Sequence, residues 1–368
     1  MVLDTLARLQ EALRSIRRQT PAQTFSTTAA ALSDVRIGYL DGRPVRRLVV
    51  TLRALGCSWT QASGGCVMCG HWVGTTRGIS PGNGDSLAQF RSEIAKYDLR
   101  NISVLSIYNS GSMLNPGELA PEALINLLAE IRTYPSIRKI VLETRAEYVD
   151  EAYVRELAAV LAPQARLSIA MGLETADDMR RELCLNKGCS AHRIEDAIEL
   201  IREIADFQLY VLAGLPFLTE AEAIEDAIDA VRLAHRIGAD EIHIEPMTIQ
   251  QHTLVEALAQ EGLYRLPSLY TLFEILRRVV PDIRPYVSPF MHMPLPERIP
   301  EGCPSCTARL REQLLWRYNI TRDTASLEYD FCDCIPAWRA RLCETDPRPL
   351  EQRVREALEV LSCGVLSC

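Results

Sequence analysis

Cys57, Cys66 and Cys69 stand in a C-x8-C-x2-C pattern within a loop rich in glycine, Gly56 to His71. Three thiolates this close can hold three corners of a cubane iron–sulfur cluster and leave its fourth iron open to a further ligand. Three small buried thiols would be the plainer reading. The flanking Gly56, Gly64, Gly65 and Gly70 argue instead for a loop shaped around a metal group. A second set lies far downstream, Cys303-Pro-Ser-Cys306 followed by Cys332-Asp-Cys334. Four soft ligands at that spacing suit a closed tetrahedral zinc, with an auxiliary cluster as the alternative. Ligand count separates the sets, since three leave an opening and four do not. Cys184 and Cys189 read as packing residues, and Cys363 and Cys368 as part of a frayed tail.

The elements that must position these groups follow a regular alternation. Strand-like segments are expected at Arg46–Leu55, Asn101–Tyr108, Lys139–Glu143, Arg166–Gly172, Phe207–Ala213 and Glu241–Glu245. Helical patterns separate those beyond the cysteine loop, which implies parallel strands with crossover helices. The expected fold class is α/β, a partial (β/α)6 TIM-like barrel spanning 45–295. A helical extension (1–44) precedes it, and a cysteine-rich metal-binding region with a helical tail (296–368) follows it. Residues 3–19 carry Leu3, Leu6, Leu9, Leu13 and Ile16 at helical spacing, and the arginines between them read as a solvated face. In such folds chemistry gathers at the C-terminal ends of strands. There the chain places Asn109-Ser110-Gly111-Ser112-Met113, Glu143-Thr-Arg145, Gly172-Leu-Glu174-Thr175, Gly214-Leu-Pro-Phe217 and Glu245-Pro-Met247-Thr248. Charged groups on buried strands are costly unless they are paired or face a cavity, so Glu143, Arg145, Glu174 and Glu245 mark either a polar cavity or a paired rim.

Composition sets the bounds. The 368 residues are 48% hydrophobic and 24% charged, with net charge −8 and pI near 5.5. That balance argues against a nucleic-acid surface over most of the protein. Twelve cysteines without a signal peptide point to reduced thiols in the cytoplasm. No apolar run approaches the roughly 18 residues of a membrane span.

From about residue 45 to 340 the motifs resemble the radical S-adenosylmethionine (SAM) superfamily. Within it they resemble most the radical SAM subunit of archaeosine synthase, itself related to elongator-type enzymes. The resemblance rests on Gly-Cys57-Ser-Trp through Gly-Gly-Cys66-Val-Met-Cys69-Gly, on Asn-Ser110-Gly-Ser-Met, and on Leu-Glu143-Thr-Arg-Ala-Glu-Tyr. Gly172-Leu-Glu-Thr with Leu185-Asn-Lys-Gly, Pro216-Phe-Leu-Thr-Glu, and the two downstream cysteine pairs complete it. The eight-residue spacer between Cys57 and Cys66 belongs to the same branch.

The resemblance implies a [4Fe–4S] cluster on Cys57, Cys66 and Cys69, with SAM chelating the open iron and giving a 5′-deoxyadenosyl radical on reduction. It implies that Ser110, Gly111 and Ser112 bind the methionyl amine and that Glu174 binds the amine or ribose. Lys187 or Arg145 would take the carboxylate, Glu143 would join this cofactor set, and backbone near Gly214 would line the adenine. Glu245, Tyr210 and His243 are the expected catalytic residues. Gln250, Gln251 and His252 are expected near substrate, with Tyr108, Met113 and Met247 along the radical's path. His71 is expected beside the cluster without ligating it.

The expected substrate is a small molecule of biosynthesis, and the electron donor a flavodoxin or ferredoxin. Three alternatives stand beside that reading. One is archaeosine-type C–N cleavage on a lysine-modified deazaguanine in tRNA, with a partner subunit. Another is transfer of the 3-amino-3-carboxypropyl group of SAM to a thiophilic acceptor at Cys363 or Cys368. The last is a non-catalytic iron–sulfur sensor. Against the tRNA reading stand the absence of an arginine-rich segment or aromatic stacking platform and the turn Ala213-Gly214-Leu215-Pro216, where the archaeosine group is more basic.

Overall fold

The structure, a computed structural model, describes all residues except 1, 22, 78, 291–292, 326, 329–331 and 364–368. Cys368 and the side chain of Cys363 lie outside the described residues. One sheet runs in sequence order through β1 (Leu32–Leu40), β2 (Arg43–Thr51), β3 (Val104–Tyr108), β4 (Lys139–Glu143), β5 (Arg166–Glu174), β6 (Asp206–Ala213), β7 (Glu241–Pro246) and β8 (Tyr286–Val287). β1 and β2 form an antiparallel hairpin, and every later pair is parallel.

Sequential parallel strands with helical crossovers curl, because strand twist and helix packing on one face act in the same sense. Contacts across the interior record that curl. The β3 and β6 hydroxyls of Tyr108 and Tyr210 stand 3.1 Å apart. Lys139 of β4 reaches Glu241 of β7 at 2.7 Å, and Tyr39 of β1 meets Tyr286 of β8 with ring centroids 6.0 Å apart. The result is the expected partial barrel.

Two strands exceed the expectation. β1 lies within 1–44, a segment expected to be helical; helix α1 (Val2–Gln19) accounts for its first part and β1 for its last. Leu-Ser-Asp-Val-Arg-Ile-Gly-Tyr-Leu is half-buried throughout most of its length, so its alternation is faint. β8 has two residues, too few for any period.

Period-2 alternation sorts side chains between the helix-covered face and the interior. Register pairs Glu143, Ala170, Gln208 and Glu241 at one level, then Gly172, Tyr210, His243 and Tyr286 at the next. These residues share the interior parity, which makes the barrel lumen polar.

A large apolar core fills the space between sheet and helices. A second core lies at the C-terminal ends of the strands. It joins Leu9, Leu13 and Ile16 of α1 to Val354, Leu358 and Leu361 of the C-terminal helix Leu350–Cys363, and it takes in Val67 of the cysteine loop. No helix among the described residues is long and apolar enough to cross a membrane.

Candidate active site

The cysteine loop is held from all sides. Cys57 precedes helix α2 (Ser58–Ser63), and Gly64 ends it at φ +90°, in the left-handed region that favours glycine. A side chain there would also collide with α1, since a Cβ on Gly64 falls 2.6 Å from Cβ of Leu13. From α1, Arg17 donates to the carbonyls of Gly64 (3.0 Å), His252 (3.0 Å) and Cys69 (2.6 Å). The solvated face expected for these arginines therefore fails at Arg17, because the helix docks on the loop carbonyls. The Asn186 side chain donates to the carbonyl of Gly65 at 2.8 Å, and the Trp59 indole donates to the carbonyl of Asn186 at 2.7 Å. Gln250 accepts from the amide of Gly70 at 2.7 Å and donates to the carbonyl of Pro294 at 3.0 Å. Its amide is thereby committed to clipping the loop.

Glu118 is the hub of the opposite wall. Buried, it accepts from the backbone of Ser58 (2.8 Å) and Ser112 (2.5 Å) and from the Asn115 amide (2.9 Å). Three donors on one carboxylate fix α2 against the turn after β3. In that turn Ser110 takes φ +59°, and Glu174 at the end of β5 takes φ +65°. Such strain in non-glycine residues gathers where geometry matters for function.

These walls enclose a cavity of ≈ 260 Å³. Cys57, Cys66 and Cys69 line it together with Ser110, Gly111, Glu143, Arg145, Glu174, Lys187, Tyr210, His243 and Glu245. Thus most of the expected site residues converge on one space. Ser112 and Gly214 do not reach it. The hydroxyl of Ser112 accepts from the Arg145 amide at 3.2 Å, and Gly214 lines a separate groove beside Pro267 and Tyr264. Met113 belongs to the main core, while Tyr108 and Met247 line the cavity. Gln251 faces Glu297, at 2.6 Å. The His71 ring contacts the carbonyl of Met293 at 2.5 Å.

Sequence reasoning missed Arg17, Glu118, Arg36, Arg47, Tyr286 and Ser288. Arg47 carried a signal, a charge inside an apolar strand, but only strand pairing reveals its inward parity.

Electrostatics divide the cavity. Burial pushes the thiols of Cys57 and Cys66 up and that of Cys69 up to about 12. Nearby cations oppose this: Lys187, Arg145 and Arg17 act on Cys66, and Arg17 acts on Cys69. Burial disfavours the Lys187 ammonium, yet the Glu174 carboxylate, 2.6 Å away, holds its pKa above the usual value. Deeper in, burial raises Glu143 and Glu245 to about 7 each. His243 falls to about 4, chiefly through burial. Its ring is neutral at pH 7, with Nε2 3.0 Å from Glu241 and Nδ1 3.2 Å from the Gln208 amide. Both ring nitrogens are thereby engaged within the protein.

The second cysteine set also converges. Sγ–Sγ distances are 3.3 Å (Cys303–Cys332), 3.6 Å (Cys303–Cys306), 3.6 Å (Cys306–Cys334) and 3.4 Å (Cys332–Cys334). Among the described residues, this is the set of candidate ligand atoms lying within 4.8 Å of one another. The Tyr270 hydroxyl caps it, 3.5 Å from Cys306 and 3.6 Å from Cys334.

The chain is 30% identical over 338 residues to archaeosine synthase subunit beta of Methanosarcina acetivorans, covering 90% of this chain and 95% of that protein. It is 27% identical to archaeosine synthase subunit beta of Thermococcus kodakarensis, covering 81% and 92%. Among solved structures, methylornithine synthase superposes with a TM-score of 0.46 at 15% identity, over 77% of this chain and 70% of that one. No family model matches the chain.

Proposed function

The chain belongs to the archaeosine synthase subunit beta family, within the radical SAM superfamily, and from that premise we propose that it cleaves SAM reductively at a [4Fe–4S] cluster on Cys57, Cys66 and Cys69. The observation that carries this reading is the single cavity shared by the three thiols, the Glu174–Lys187 pair, Arg145 and the polar barrel lumen. The donor set fits the group, because three soft ligands would leave one position of a cubane to a further ligand, and the polar residues lining the same cavity suit an amino acid. When bound, the cluster and SAM supply a carbon-centred radical.

The chain's own residues bind, orient and shield. Arg145 and Lys187 offer cations for the methionyl carboxylate, and Ser110 and Glu174 offer acceptors for its amine. The Arg17, Asn186, Gln250 and Glu118 contacts hold in place the loop that would carry the cluster. Tyr210 and Tyr108 form the wall between the rim and the barrel floor, and Glu245, held by Ser288, faces the substrate. His243 supports that wall as a positioning residue.

The substrate is a small polar molecule, with the reducing electron drawn from a flavodoxin- or ferredoxin-type donor. A modified base of tRNA is the second reading, favoured by the name and near-complete coverage of the M. acetivorans relative. Such a base would have to leave its stack to enter the cavity. Anaerobic reconstitution followed by dithionite and SAM tests the proposal. Release of 5′-deoxyadenosine is expected, and methylthioadenosine in its place would transfer support to aminocarboxypropyl transfer. Release of neither, with small molecules and tRNA both supplied, would refute the catalytic reading.

For Cys303, Cys306, Cys332 and Cys334 we propose one structural zinc. Tetrahedral ligation with bonds of about 2.3 Å puts sulfurs about 3.8 Å apart, close to the spacing observed. A cubane attaches each thiolate to a different iron and holds them wider. Metal analysis of the purified chain tests this, and iron in place of zinc would refute it.

A further inference from the structure

Among the described residues, buried cations have hydrogen-bond or ion-pair partners, with one exception. Lys139 is paired with Glu241, and Arg181 donates to the carbonyl of Leu173 at 3.1 Å. Arg53 donates to the carbonyl of Gly74 at 2.6 Å. Arg47, on β2, is 3% exposed, and its Nε has no hydrogen-bond partner. Among the described residues it makes no ion pair. The nearby carboxylates are engaged elsewhere: Glu241 with Lys139 and His243, and Glu245 with Ser288. Glu241 and Glu245 act on the Arg47 guanidinium through space without bonding it, and a buried donor left unbonded is costly, so a fold retains one where an incoming acceptor completes it.

The surroundings are built for this side chain. Across the hairpin, Gly38 leaves the space its stem occupies, since a Cβ there would lie 2.7 Å from Cβ of Arg47. The guanidinium stands 5.5 Å from the centre of the Tyr286 ring. Arg47 lines the same cavity as the three thiols. It lies four residues before Thr51, the end of β2 that leads into the cysteine loop, so at about 3.3 Å per residue it sits about 13 Å deeper.

We propose that Arg47 is the docking point for a substrate carboxylate at the floor of the barrel, at the opposite end of the cavity from the cysteines. A guanidinium fork matches a carboxylate, and the tyrosines around it admit a planar group. Glu143 and Glu245 in the same cavity disfavour a dianion such as a phosphate monoester, whereas a single negative charge is balanced by Arg47. The inference rests on the reading of the cavity as the substrate site.

The test is anaerobic thermal unfolding of the cluster-reconstituted full chain with acetate as the probe, against chloride at equal ionic strength and against inorganic phosphate. Acetate is expected to raise the wild-type midpoint, and Arg47→Met to abolish that rise while leaving the protein as stable as wild type or more so. Arg47→Lys should retain the response at an acetate concentration at least tenfold higher. Absence of an acetate effect in wild type, an unchanged effect in Arg47→Met, or a larger effect from phosphate would overturn the assignment. Failure of Arg47→Met to fold would do the same, because it would make Arg47 a structural support. SAM binding, measured separately, is expected to be unaltered in Arg47→Met. A wild type that binds no SAM would sink the proposed function, while the acetate comparison would still decide the role of Arg47.

Discussion

The two cysteine groups share a ligand chemistry and differ in everything around it. At Cys57, Cys66 and Cys69 the thiols line a cavity, and cations from three separate segments, Arg17, Arg145 and Lys187, face them. At Cys303, Cys306, Cys332 and Cys334 the sulfurs close on one another, with a tyrosine hydroxyl against them. An opening with charge around it suits a centre that exchanges ligands and electrons. A closed set packed beside Tyr270 and Trp338 suits a staple, and it ties the chain after β8 to the core. The cysteines themselves are the same residue type in both, so the function of each group lies in its neighbours.

Breaking the open centre should have the largest effect. Cys66→Ala should lose the cluster's visible absorbance and all SAM cleavage while keeping its fold and the zinc proposed for the second group. Loss of zinc in that variant would show that the two groups are not independent. Next in size, Cys306→Ser should release the metal and lower unfolding stability by more than about 4 kcal/mol. A variant that loses metal without loss of stability would remove the contrast. Arg17→Met should cost about 2 kcal/mol, as charged hydrogen bonds to three carbonyls are lost, and should speed cluster loss to a chelator. Arg17→Lys should restore only part of this, and equal rates in all three proteins would mean α1 does not hold the loop.

The smallest effect is on pH dependence. Burial raises Glu143, which faces Lys187, Glu245 and Glu174, and Glu245, which faces Ser288, Arg36, Arg47 and Glu174, from 4.5 to about 7. The folded state therefore holds protons that the unfolded chain releases. Stability from these groups is full below pH 4.5 and declines as pH rises through 7. Denaturant unfolding of Glu143→Gln/Glu245→Gln should show a flatter profile between pH 5 and 7.5, and an unchanged slope would place both carboxyls in solvent.

Much of this was legible in the chain. The six expected strands appear, and the cysteines are grouped as their spacing implied. Polar residues at the strand ends mostly meet in one cavity, because local spacing and strand parity are properties of short segments. Ser112 and Gly214, expected among the cofactor-binding residues, lie away from this cavity for a related reason. Their motifs lie at the right strand ends, but one hydroxyl turns back to the Arg145 amide and one glycine opens on another groove.

What the amino-acid order determined by itself was which groups could do chemistry: a three-thiol loop, a four-thiol set, and carboxylates and cations at the ends of buried strands. What only the tertiary structure decided was who faces whom. Arg17 and Arg18 are neighbours on one helix, yet the first grips the cysteine loop and the second pairs with Glu11 in solvent. Arg46 and Arg47 are neighbours on one strand, and parity sends one of them into the lumen with its Nε unbonded. The physical reason is that burial and pairing are relations between segments far apart in the chain. A residue's own neighbourhood cannot state them.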